Sequence, residues 1–147
     1  MANYYAKTRT NYFRVKDAEK FKEYMNTRIG VNEDKIELWE KVMPDGTKLY
    51  GFGCYGNILG EKVNQESEDI EELEYDYDDF CNSLAEFVAD DDAIIITEIG
   101  NEKLRYLTGY STIITSKEIT CLSLSQMAAH KAAEVLKNPS WQTQMEY

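Results

Sequence analysis

Residues 36–56, Ile36-Glu37-Leu38-Trp39-Glu40-Lys41-Val42-Met43-Pro44-Asp45-Gly46-Thr47-Lys48-Leu49-Tyr50-Gly51-Phe52-Gly53-Cys54-Tyr55-Gly56, decide the fold. Ile36, Leu38, Glu40 and Val42 alternate with Glu37, Trp39 and Lys41, the period of a strand with one charged face. Pro44-Asp45-Gly46 is turn chemistry between two apolar runs, so 47–56 is predicted to return as the second strand of a hairpin. Upstream, residues 4–15 are rich in Tyr, Thr, Phe and Val and read as a first strand. Asp17 then caps a helix to about Arg28, with Phe21, Tyr24, Met25 and Arg28 at helical spacing and Gly30 as the stop.

Downstream, residues 57–77 are polar and partly loop-like. Asp78 or Asp79 is predicted to cap a helix carrying Phe80, Leu84, Phe87 and Val88, its early acids suiting the helix dipole. Residues 93–99 read as a buried strand, turned by Gly100-Asn101 into 103–115, and Ser116-Lys117 turns again into 119–124. Ser125 caps a last helix with Leu124, Ala128, Ala132 and Val135 on one face, ended by Asn138-Pro139. The expectation is a single α+β domain over 1–147: a ferredoxin-like β-α-β-β-α-β core with a mostly antiparallel sheet, extended by a C-terminal β-β-α.

The charge is local. The chain has 147 residues and a formal net charge of −11. Residues 61–92 hold fourteen acids and one base, Lys62, whereas the first sixteen residues carry Lys7, Arg9, Arg14 and Lys16 without an acid. Such a chain gains no affinity for DNA phosphates from its overall charge. The longest apolar run, Ala93 to Ile96, is too short for a membrane span, and no charged-then-apolar leader opens the sequence. Cys54, Cys81 and Cys121 are scattered and odd in number, which suits buried thiols in a reducing cytoplasm. His130 is the sole histidine and has no nucleophile motif beside it, so no catalytic residues, metal or cofactor are expected.

Two look-alikes lie in the hairpin. Gly51-Phe52-Gly53-Cys54-Tyr55-Gly56 spells G-x-G-x-x-G, yet no helix start follows, and the pattern sits in a hairpin strand. Gly51 and Gly53 are instead expected on one strand face, where another element comes close. Lys48 to Tyr55 partly matches the RNA-recognition consensus, with Tyr50 and Phe52 as stacking aromatics. A nucleic-acid face of Tyr12, Arg14, Lys48, Tyr50 and Phe52 is the alternative reading, for RNA or single strands.

The leading candidate is Glu72-Leu73-Glu74-Tyr75-Asp76-Tyr77-Asp78, with Asp79 adjoining, where acids alternate with apolar residues. If extended, one face carries carboxylates about every 6.6 Å, near every second phosphate of a nucleic-acid strand. Tyr75 and Tyr77 would anchor them. Asp76 and Asp78 also match the first and third positions of an EF-hand loop, but Phe80, Cys81 and Phe87 stand where ligands and the glycine belong.

Residues 11–17 (NYFRVKD), 38–41 (LWEK), 51–53 (GFG), Tyr55-Gly56, 98–107 (EIGNEKLRYL) and the closing Met145-Glu146-Tyr147 together resemble a family of small acidic bacterial proteins from plasmids, phages and other mobile elements. The resemblance spans most of the chain except 61–75 and transfers no site residues. It implies a context in which small, often acidic inhibitors of restriction or CRISPR nucleases are encoded. The expected function is accordingly a non-enzymatic cytoplasmic inhibitor that imitates nucleic acid. Glu72, Glu74, Tyr75, Asp76, Tyr77, Asp78 and Asp79 would meet the basic groove of a protein partner.

Overall fold

The computed structural model describes residues 4–32, 35–63 and 74–141. In chain order the elements are β1 (Tyr5–Thr10), α1 (Ala18–Thr27), β2 (Ile29–Val31), β3 (Glu37–Val42), β4 (Lys48–Cys54) and β5 (Ile58–Lys62). There follow β6 (Tyr75–Asp76), α2 (Tyr77–Phe87), β7 (Ile94–Glu102), β8 (Tyr106–Ile114), β9 (Ile119–Ser123) and α3 (Leu124–Val135). Six strands form one sheet in the order β3-β4-β1-β7-β8-β9, and β2-β5-β6 form a second. Among the described residues every strand pair is antiparallel and there are three helices, so the class is α+β.

The hairpin forms as the sequence dictates. Leu38 pairs with Phe52, Trp39 with Gly51 and Val42 with Lys48. At the turn, Asp45 Oδ1 accepts the Thr47 amide at 3.0 Å, and Gly46 adopts φ +89°, which glycine takes at no steric cost. Alternation then sorts the strand: Tyr50 and Phe52 point to one face, Gly51 and Gly53 to the other. The first face is the core. Tyr50 and Phe52 are buried there with Phe13, Phe21 and Met25 of the α1 side, Phe80 and Leu84 of α2, and Ile94, Ile96 and Ile114. Phe13 meets Phe21 edge-on at 5.7 Å and Phe52 at 6.0 Å, while Phe52 contacts Phe80 at 6.0 Å. Both α1 and α2 thus cover the same side of the large sheet.

Several boundaries differ from expectation. The first strand ends at Thr10; beyond it Asn11 Oδ1 accepts the Ile95 amide of β7 at 2.8 Å, Phe13 bridges Tyr50 of β4, and Val15 bridges Val88 at the end of α2. Asp17 caps α1 as predicted, accepting the Lys20 amide at 3.2 Å. Gly30 is not a stop but lies within β2, where a Cβ would run into the Tyr75 ring. The uncertain stretch after residue 57 supplies β5, paired with β2 and β6. Gly100 and Asn101 do not turn, because β7 continues to Glu102 with Gly100 beneath Tyr4, and Lys103 takes the positive φ of +53°. Ser123, not Ser125, precedes α3. Leu124 and Val135, expected on its packed face, are 67% and 70% exposed, and Ala129 is the buried residue instead. This helix follows β9 without a linker, so the edge strand and not an apolar stripe sets its orientation.

Candidate functional site

The acidic segment is built differently from an extended comb. Only Tyr75–Asp76 is strand, and the helix begins at Tyr77. Asp76 is its cap: Oδ1 accepts the Asp79 amide at 2.9 Å, and Asp78 and Asp79 occupy the first turn. The acids there complement the amide-rich end of the helix, so the helix-start signal overrides the alternation. Residues rise about 1.5 Å apiece in a helix, so Asp78 and Asp79 crowd near Asp76 rather than continuing a 6.6 Å ladder. Glu72 and Leu73 lie outside the described residues.

Neither tyrosine is a free anchor. The Tyr75 ring lies over Gly30, and burial takes most of Tyr77, which packs on Phe80 at 5.9 Å and pairs its hydroxyl with Thr112 Oγ1 at 3.0 Å. That burial pushes the Tyr77 hydroxyl up from its ordinary range. Glu74, Asp78 and Asp79 are exposed, and Asp76 half-exposed, with no basic partner among the described residues.

Other acids of 61–92 are structural. Asp91 meets Arg14 at 2.6 Å, and this hydrogen bond holds its carboxyl below the usual range. Lys16 does the same for Asp90 at 3.1 Å. Asp92 Oδ2 accepts the Arg14 backbone amide at 2.8 Å and lies 3.6 Å from its guanidinium. Glu61 takes three donors: Arg28 at 2.8 Å, Tyr24 Oη at 2.7 Å and Ser83 Oγ at 2.7 Å. Arg14 and Lys16 of the basic N-terminal segment and Asp90–Asp92 of the acidic one therefore neutralise each other within the fold.

The alternative stacking face does not assemble. Tyr50 is 2% and Phe52 0% exposed, both beneath the helices. Arg14 is engaged by Asp91 and Asp92, and Lys48 lies 3.5 Å from Glu40. The recognition consensus needs its aromatics outward; here the face that carries them is the one α1 and α2 cover. Tyr12 is the exception, half-exposed on the opposite face beside Gly51.

That opposite face carries residues the sequence reading did not single out. Trp39 lies over Gly53, so a Cβ at Gly53 would sit 2.8 Å from its ring and 2.7 Å from the Thr8 carbonyl. The close approach inferred for Gly51 and Gly53 is real, and its occupants are Tyr12 and Trp39. Arg9 stacks on Trp39 at 4.8 Å, and Lys41 approaches Tyr12 at 5.5 Å. The strict alternation of β3 could have found Trp39, since it places the ring opposite the Tyr50 side.

Glu98 is a buried carboxylate missed from sequence, because it sits in an otherwise apolar run. It is 8% exposed and accepts Tyr4 Oη at 2.8 Å, and Tyr4 in turn meets Thr108 Oγ1. Burial pushes Tyr4 and Tyr110 hydroxyls up around it. Of the cysteines, Cys54 and Cys81 are buried, but Cys121 is exposed, contrary to expectation. His130 is exposed on α3. Among the described residues no group of three or more His, Cys, Asp or Glu is placed to hold a metal ion, and no helix is long and apolar enough to cross a membrane.

Compared with family models, curated proteins and solved structures, the chain has no match.

Proposed function

We propose that this is a non-enzymatic acidic interaction protein of the cytoplasm whose β6–α2 junction imitates a nucleic-acid backbone and occupies the basic groove of a defence nuclease. One observation carries the reading: Glu74, Asp76, Asp78 and Asp79 gather at one helix start and form no ion pair among the described residues, while Glu61 and Asp90–Asp92 are engaged by Arg28, Lys16 and Arg14. Carboxylates held in that way keep their charge available to a partner. Tyr75 and Tyr77 support the site from below instead of contacting the partner. The resemblance to small acidic mobile-element proteins belongs to this reading, as does a ferredoxin-like unit of β1, α1, β3, β4, α2 and β7. The unit is supported by β4 and β7 flanking β1, both antiparallel to it.

The test is competition. The protein should retain DNA-free nuclease from a host lysate, block DNA loading when added first, and lose both effects at high salt. Neutralising Glu72, Glu74, Asp76, Asp78 and Asp79 to Gln or Asn should abolish inhibition, with α2 kept because Asn also caps helices. Undiminished inhibition by that variant overturns the reading.

A further inference from the structure

We propose that the face of the large sheet turned away from α1 and α2 binds single-stranded nucleic acid, separately from the acidic junction. The odd-numbered residues of β1 and β7 build it: Tyr5, Lys7 and Arg9 beside Ile95, Thr97 and Ile99, in register Lys7–Ile99 and Arg9–Thr97. They line a groove of about 720 Å3 to which no carboxylate contributes. Tyr5 and Ile99 are 60% and 65% exposed, so its floor is aromatic and aliphatic surface in open water. At one margin Arg9 rests on Trp39 and Lys41 on Tyr12, and the bare Gly51 and Gly53 let both rings come close to the sheet.

Charge selects the occupant. In a chain of net charge −11, a groove holding Lys7 and Arg9, with no acid in its lining, is complementary to an anionic ligand; on the neighbouring β3, Glu37 and Lys41 share the open face with Trp39. The apolar floor demands more than phosphate. A duplex hides its base faces, whereas an unpaired strand offers each base to Trp39, Tyr12 or Tyr5 while its phosphates reach the three bases. The Arg9–Trp39 stack is a platform on which a base can lie against ring or guanidinium.

The experiment uses the full chain with Trp141 replaced by Phe, leaving Trp39 as the only indole. Titration with labelled single-stranded DNA or RNA of mixed sequence, about 12 nucleotides long, follows anisotropy and Trp39 fluorescence together. Three phosphate contacts should make affinity fall about 20-fold between about 50 and 200 mM salt. Lys7→Ala with Arg9→Ala should weaken binding and shrink that fall to about threefold, the fold being kept with at most a small drop in melting temperature from the lost Arg9–Trp39 stack. Trp39 emission should be quenched by the single strand and not by the matching duplex. Absence of binding at low salt, equal binding of duplex, or an unaltered salt slope in the double variant overturns the proposal. So does a dimer, measured by light scattering, that Ile99→Glu dissociates, since the face would then be closed by a second copy.

Discussion

Asp92 fastens the chain before α1 to the turn before β7, because one oxygen takes the Arg14 amide at 2.8 Å and the other its neighbour Ala93 at 2.8 Å. Its removal leaves a partly buried amide unpaired. Asp92→Ala should therefore lower stability by about 1–3 kcal/mol in urea unfolding, with Asp92→Asn recovering part of the loss. An unaltered midpoint would mean water replaces the carboxylate. Cys81 makes a pH prediction at the same scale. Desolvation pushes its thiol from 9.0 to about 11, so the folded state holds the proton more tightly than the unfolded chain. The sign follows: stability is unaffected below about pH 9 and declines as pH rises toward 11. Cys81→Ala should flatten that part of the profile even while a small cavity lowers stability throughout. Thiol labelling should reach Cys121 at once, and Cys54 and Cys81 only at the rate of unfolding.

Between elements, β5 is the joint. Glu61 on this strand gathers Tyr24 of α1, Arg28 just beyond it and Ser83 of α2 around one carboxylate, whose side chain is 17% exposed. Glu61→Ala strips the acceptor from all three and should cost about 2–4 kcal/mol, with Glu61→Gln intermediate; additive loss with Ser83→Ala in a double-mutant cycle would contradict the shared network. The joint also shows what a one-dimensional pattern can carry. The β3–β4 hairpin and the start of α1 were legible because turn, cap and period agree within one contiguous stretch. The β2-β5-β6 sheet was not, because strands of three, five and two residues are too short for a period. Its pairing depends on long-range approaches at Gly30 and Gly60, the latter at φ +128° against the Asp76 backbone. The candidate site had the same limits. Composition located the acids, but which ones were neutralised depended on Arg14, Lys16 and Arg28 arriving from elsewhere. Tyr50 and Phe52 were named correctly as a pair on one face, yet the side that faces water follows from where α1 and α2 pack.

Across the whole molecule, uncompensated acids lie at the start of α2, and Lys7, Arg9 and Lys41, with Glu37 as the acid among them, stand on the sheet face turned away from α1 and α2. Two effects of salt on folding then oppose each other. Screening weakens the Arg14–Asp91 and Lys16–Asp90 pairs, whose acids are 75% and 78% exposed and which contribute little each. Screening also relieves the self-repulsion of a chain at −11, concentrated between residues 61 and 92. The second effect is larger, because the exposed pairs contribute little each, and Glu74, Asp76, Asp78, Asp79 and Glu86 have no ion pair to lose among the described residues. Stability should thus rise by about 1 kcal/mol between low and high salt, a Tm increase of roughly 2–4 °C. Neutralising Glu74, Asp78 and Asp79 should remove most of that increase. A Tm that falls with salt would place the balance with the ion pairs instead. Binding at either face should respond in the opposite direction, weakening as salt rises, so one salt series separates charges that hold the fold from charges that face a partner.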